Sequence, residues 1–304
     1  MIYYLVSKKH TYTVKRWIKH YPEQLMGRLR VLPYSKCHGT VQEGTFIFSD
    51  IDRLSPRATR KASRLLDKVR RAGCRTLNHP SDSLRRYDLQ KSLRNDFRVF
   101  RSHEVPADLR YPVFLRVEND HGGSQTDLLR DPESYHAARQ QFPDSLVVEF
   151  LDTRDENGLF RKYSAFRIGE RIIPRHVLFS RDWVVKKPDV IDDATARVEF
   201  EYLEDHPHEA DLRGIFDIAK IDFGRIDYGI HEGRIQTWEI NSNPSLTAPR
   251  RGRPSETYLK RLAVHEWGAR ATNEALLELD VGRESKKVRL GIPRTWRPES
   301  RFAI

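Results

Sequence analysis

Apolar runs of strand length alternate with amphipathic stretches along the first quarter of the chain. Residues 3–6, 29–32 and 45–49 are short apolar or β-branched runs, and 12–20 between the first two can hold a helix. Ser55 stands where an N-cap belongs, Pro56 suits the first helical position, and Ala62, Leu65, Leu66 and Val69 then supply one apolar face up to a stop at Gly73. Residues 74–77 read as the next strand. The pattern predicts a small open parallel α/β sheet over residues 1–80, bounded by Asn78-His79-Pro80.

From Ser81 the rhythm changes. A helix carrying Leu84, Leu89 and Leu93 is followed by a strand at 113–117, a polar glycine turn, a helix at 132–141 and a strand at 146–151. Strands then dominate: 163–168, 171–177, 224–230 and 235–240 alternate as antiparallel sheet does, with turns at Gly169-Glu170 and His231-Glu232-Gly233. One more amphipathic helix is expected over 256–279, then a basic tail with little pattern, draped on the surface or partly disordered. The fold class is α/β and α+β, with an N-terminal open parallel domain followed by a domain whose antiparallel sheet faces a polar cluster.

That cluster lies on the 224–240 hairpin, and its register can be argued. A two-residue loop at Glu232-Gly233 needs positive φ at Glu232, whereas a three-residue loop needs it only at the glycine. The three-residue loop sets Asp227 opposite Thr237. Asp227, Thr237, Glu239 and Asn241 then share one face, and Ile226, Tyr228, Trp238 and Ile240 the other. Two carboxylates and an amide oxygen are hard donors suited to Mg²⁺. The spacing alone leaves a second reading, the solvated outer face of a sheet.

Composition narrows the classes. The 304 residues suit about two domains, and 38% apolar residues are enough for packed cores. No run approaches the roughly 18 to 20 apolar residues of a membrane span, and the apolar opening is too short for a secretion signal, so a cytoplasmic protein is expected. Cys37 and Cys74 make neither a disulfide framework nor a metal set. The net charge of +11 is scattered rather than gathered in one tract, which favours a pocket for anionic small molecules over nucleic acid. His206 and His208 lack a third ligand nearby, and the chain has neither a P-loop nor a serine nucleophile elbow.

Asp227 in an Ile-Asp-Tyr strand, followed by Glu239-Ile240-Asn241-Ser242-Asn243-Pro244, resembles the metal-binding end of the ATP-grasp superfamily, which includes glutathione synthetase, D-alanine:D-alanine ligase and glutamate ligases. The resemblance spans roughly residues 1–250. It implies ATP and Mg²⁺ as cofactors, with Asp227, Glu239 and Asn241 on two magnesium ions. It also implies an ATP-grasp domain over 81–254, with a hinge near 148–152, and leaves 255–304 as the C-terminal helix and tail. Residues 146–151 resemble the strand leading to the adenine hinge, so Glu149, Phe150 and Leu151 are expected at the adenine edge. Asn119-Asp120-His121-Gly122-Gly123-Ser124 looks like the small-residue loop over the phosphates, whose N–H groups suit anionic oxygens. His121 in it either acts on substrate or caps the turn. The family's two phosphate lysines are matched here by Arg116 and by Arg86, with Lys91 nearby as an alternative; Lys162 is a further candidate for phosphate, as Arg175 is for phosphate or an acidic substrate.

The activity implied is a carboxylate-amine or carboxylate-thiol ligase that forms an acyl phosphate and releases ADP. The substrates are then a small-molecule or peptide carboxylate and an amine, with Arg225 and Arg250 as candidates to hold the acid and Arg116 acting in catalysis. Two other functions use the same fold: a small-molecule kinase, and a nucleotide-sensing or anion-binding module without catalysis.

Overall fold

The computed structural model of the chain describes residues 1–119, 123–246, 259, 261–281 and 286–291. Strands β1 (Ile2–Val6), β2 (Leu29–Pro33), β4 (Thr45–Phe48) and β5 (Arg75–Leu77) form a wholly parallel sheet in the order β2-β1-β4-β5. Both faces are covered, as a parallel sheet requires. Helix α3 (Pro56–Arg71) begins at Ser55, whose Oγ accepts from the Ala58 N–H, and packs Ala58, Ala62, Leu65, Leu66 and Val69 against Tyr3, Leu5, Phe46 and Phe48. Burying each of those leucines contributes about 2 kcal/mol. Helices α1 (Tyr12–His20) and α2 (Pro22–Leu25) lie on the other face, where Val14, Trp17 and Leu25 join Ile2, Tyr4 and Ile47.

After α4 (Arg86–Ser92), strands β6 (Val99–Arg101), β7 (Val113–Arg116) and β8 (Leu146–Glu149) make a three-stranded antiparallel sheet, order β6-β8-β7, backed by α5 (Pro132–Gln141). The second antiparallel sheet holds β9 (Phe160–Ile168), β10 (Arg171–Ser180), β11 (Phe223–His231) and β12 (Arg234–Asn241), in the order β10-β9-β11-β12. Two helices absent from the sequence expectation, α6 (Asp193–Asp205) and α7 (Glu209–Ala219), connect β10 to β11. His206 and His208 fall between them; His206 takes a left-handed conformation after α6, and His208 Nδ1 lies 2.9 Å from the Tyr228 hydroxyl.

Three expectations are corrected. The hairpin loop is Glu232-Gly233 alone, with φ of +48° and +75°, because His231 pairs with Arg234. A bulge then skips Trp238, so Tyr228 pairs with Thr237 while Asp227 pairs with Glu239. Thr237 therefore sits in the Tyr228 row, and Trp238 turns away from that core to stack on Phe97 at 5.2 Å. Residues Lys287–Gly291, expected in a patternless tail, form β13, antiparallel to β3 (His38–Gln42), and Val288 and Leu290 enter the N-terminal core.

Helix α8 (Leu262–Glu278) is the described part of the expected last helix; of its expected start, 256–258 and 260 lie outside the described residues. Ala269, Ala275 and Leu276 of α8 pack with Ile2 and Tyr4 of the parallel sheet and with Phe166 and Phe223 of the antiparallel one, so one core joins both. Asn78, at the expected boundary, ties the two together. Its side chain donates to the carbonyls of Phe48 (3.0 Å) and Phe223 (2.8 Å) and accepts from the N–H groups of Asp222 (2.8 Å) and Phe223 (2.9 Å).

Candidate active site

A cleft of about 370 Å³ opens between the two antiparallel sheets. Its inner end is apolar. Phe97, Val99, Phe114, Leu146 and Val148 line it from the three-stranded sheet, with Phe150, Leu151 and Phe160 at the crossing to the other sheet. Trp183, in the loop after β10, closes the wall against Phe114 (ring centroids 4.9 Å) and Phe150 (5.8 Å). Such a wall fits a flat heteroaromatic ring.

The other end is charged. Asp227 is 5% exposed; its Oδ1 accepts from Ser164 Oγ (2.9 Å) and Arg225 Nε (2.8 Å), its Oδ2 from Arg225 Nη2 (3.0 Å), and Lys162 Nζ lies 3.9 Å away. Glu239 accepts from Arg86 and, at 3.1 Å, from Arg116. Asn241 faces Arg225 across the strands, and its Oδ1 accepts from the Asn243 N–H at 2.8 Å. Burial, chiefly, lowers the Lys162 pKa, while Asp227 opposes the shift.

Four cations, Arg86, Arg116, Lys162 and Arg225, thus surround two carboxylates, a formal balance of +2. That surplus favours a polyanion at the mouth of the apolar cleft. The oxygens of Asp227, Glu239 and Asn241, on one face of paired strands, have the hard-donor chemistry for Mg²⁺ that also carries phosphate oxygens. Among the described residues no three His, Cys, Asp or Glu side chains gather as a metal set, so the triad depends on the Asn241 amide.

The other sequence candidates divide. Arg86, Arg116, Gly123, Ser124, Glu149, Phe150, Leu151, Lys162 and Arg225 all line the cleft. The Glu149 carboxylate is nevertheless engaged by Arg98 and Arg110 (2.6 Å each); burial acts to raise its pKa, and these arginines overcome it and hold it at about 2. Lys91 is exposed and lies over the Phe100 ring, outside the cleft. His121, Gly122 and Arg250 lie outside the described residues. The sequence reading overlooked Trp183, Lys186 and Gln90, and it put Trp238 on the core face rather than in the cleft. A tryptophan in the polar stretch Arg181-Asp182-Trp183 is the signal that marks the first, since a loop without other apolar work seldom holds one.

The open end of the hairpin is fastened to the first sheet. Asn243 Oδ1 accepts from Tyr4 (2.8 Å) and Thr13 (2.9 Å), and Ser242 Oγ accepts from the Ile51 N–H (2.9 Å). Its turn end is held by Asp96, which takes His231 Nδ1 at 3.0 Å and Gln236 Nε2 at 2.7 Å.

No family model and no curated protein matches the chain. Solved structures do. The VanG D-Ala:D-Ser ligase of Enterococcus faecalis, 11% identical, is similar over 91% of this chain and 98% of its own, with a TM-score of 0.51. A RimK domain ATP-grasp protein of Sphaerobacter thermophilus, 13% identical, is similar over 91% of this chain and 100% of its own, with a TM-score of 0.50. Identities this low speak to architecture, and the parallel sheet followed by two antiparallel sheets that clamp a cleft is the shared feature. The protein has the ATP-grasp fold.

Proposed function

We propose that the protein is a Mg-ATP-dependent ligase that activates a carboxylate as an acyl phosphate and passes the acyl group to an amine, releasing ADP and phosphate. The observation that carries this reading is the pairing of Asp227 with Glu239 inside a ring of four cations, at the mouth of an aromatic-walled cleft. The apolar end takes the adenine ring against Trp183 and Phe114. Arg86, Arg116 and Lys162 hold the phosphates, with Gly123 and Ser124 beside them. Asp227, Glu239 and Asn241 would hold Mg²⁺, which would supply charge neutralisation at the phosphates. Arg225, fixed by its fork on Asp227, orients the acid for attack on that group. The cleft walls keep water from the acyl phosphate until the amine arrives. No helix among the described residues is long and apolar enough to cross a membrane.

Product analysis tests the reading. With acid, amine and Mg-ATP, ADP and phosphate are expected in equal amounts with the joined product, and ¹⁸O in the acid is expected to move into phosphate. AMP and pyrophosphate would overturn the ligase mechanism, and a stable phosphorylated alcohol would make the protein a kinase.

A further inference from the structure

Strand β10 carries a bulge one strand away from β11. Pro174 pairs with Ala165 and His176 with Ser164, leaving Arg175 as the extra residue, so Arg175 and His176 together oppose Ser164. Ser164 itself pairs with Asp227, and Asp227 with Glu239, so one row across the sheet runs His176, Ser164, Asp227, Glu239. Residues opposite one another in a sheet share a face. A bulge re-aims a side chain that simple alternation would send to the opposite face. Arg175 accordingly lies over the ring of Phe166, 5.4 Å from its centroid, and Phe166 is the residue opposite Arg225.

Arg175 is 5% exposed, and its Nη1 has no hydrogen-bond partner among the described residues. Glu199, whose charge acts on Arg175, already holds Arg261 at 2.6 Å, and Asp227 already holds Arg225. A buried cation without its own anion is costly to keep. Helix α8 is nevertheless shaped to admit it: a Cβ at Gly268 would lie 1.9 Å from Arg175 Nη1, and glycine weakens a helix interior. Burial, then the neighbouring Arg225, press the Arg175 pKa down to about 10. Burial and the charges of Arg225, Lys162, Arg175 and Arg261 hold His176 well below the ordinary histidine range.

We infer that Arg175, with His176 beside it, is a subsite for a second anionic group of the acid substrate, which is therefore a dicarboxylate or a phosphorylated carboxylate. One strand, β9, lies between this pair and Asp227, so two ordinary strand spacings, about 10 Å, separate them. That is too far for the carboxylate under activation and suits the far end of a short carbon chain. The assignment to the acid substrate rests on the proposed ligase reading; the anion subsite does not, since it is measured without ATP.

The test compares glutarate, 3-phosphopropionate and the monocarboxylate butyrate as probes, by calorimetry and thermal unfolding of the full chain. Glutarate or 3-phosphopropionate is expected to bind at least about tenfold more tightly than butyrate and to raise the unfolding temperature; the stronger of the two identifies the second group. Arg175→Met is expected to erase that preference, and Arg175→Lys to retain part of it. If both dianions bind no better than butyrate to the natural chain, or if Arg175→Met keeps the preference, the subsite is overturned. Dianion protection without acid-dependent ADP formation would keep the subsite and discard the ligase reading. ADP formation driven equally by butyrate and glutarate would do the reverse.

Discussion

Asp227 on β11 lies directly opposite Glu239 on β12, and it does so because a bulge at Trp238 shifts the strand by one residue. Without the bulge the two-residue loop would set Asp227 opposite Trp238. The bulge returns Glu239 and Asn241 to the face of Asp227 and turns the indole of Trp238 towards the cleft. One irregularity therefore builds both the acidic centre and part of the aromatic wall.

Glu239→Gln keeps the side chain's size and removes its charge. Turnover is expected to fall by about 10²-fold or more with the circular dichroism spectrum unchanged, because the loss falls on charge stabilisation at the phosphoryl group. Normal Mg-dependent turnover in the folded variant would remove Glu239 from the site.

Arg116 binds Glu239 at 3.1 Å and lines the cleft. Arg116→Ala is expected to weaken ATP binding by about a hundredfold, the cost of losing a few kcal/mol of charge pairing, and Arg116→Lys by much less. Equal nucleotide affinity for the natural chain and the alanine variant, by calorimetry, would exclude the phosphate role.

Trp183 supplies the lid of the aromatic wall, against Phe114 and Phe150. Replacing it with alanine is expected to raise the Kd for ADP about fivefold, the equivalent of about 1 kcal/mol of ring contact beyond the area it buries. Nucleotide should also quench tryptophan fluorescence less in the variant.

Glu149 gives a pH signature of stability rather than of catalysis. Its folded pKa of about 2 lies below the ordinary 4.5, so its contribution is present above about pH 4.5 and is lost as the pH falls towards 2. The shift corresponds to at most about 3 kcal/mol, reduced by water at the half-exposed Arg110. Urea denaturation of the natural chain and Glu149→Gln should show a gap at pH 7 that shrinks below pH 4.5 and closes near 2. A gap that widens on acidification would contradict the assignment.

Much of this was legible from residue order. The parallel sheet follows from the apolar runs, Ser55-Pro56 from helix-start chemistry, and the shared face of Asp227, Glu239 and Asn241 from period-two alternation. The face came out right although the loop did not. The expectation used a three-residue loop, whereas Glu232 accepts positive φ and the bulge restores the same parity. Bulges leave little trace in side-chain spacing, so the placement of Thr237 and Trp238 was hidden, as was the turn of Arg175 onto the Phe166 ring. Helix α6 was hidden because its buried face, Glu199, Tyr202 and Leu203, carries a carboxylate, whereas α7 sets Leu212, Phe216 and Ala219 at helical spacing and could have been read. Strand β13 escaped because pairing with β3, about 250 residues earlier, is a property of the folded chain alone.

Asn78 and Asn243 give the N-terminal sheet a role that sequence distance conceals. Each is a buried amide whose oxygen accepts two hydrogen bonds across the junction, and between them they grip the two strand ends from which Asp227 and Asn241 project. The first 80 residues thus act as a jig for the acidic centre, while helix α4 and the loop after it hold the turn half of the hairpin through Gln90 and Asp96. The minimal working unit is for that reason set by the anchors rather than by the cleft, and a fragment cut at residue 81 would keep every residue of the cleft and lose what aligns them.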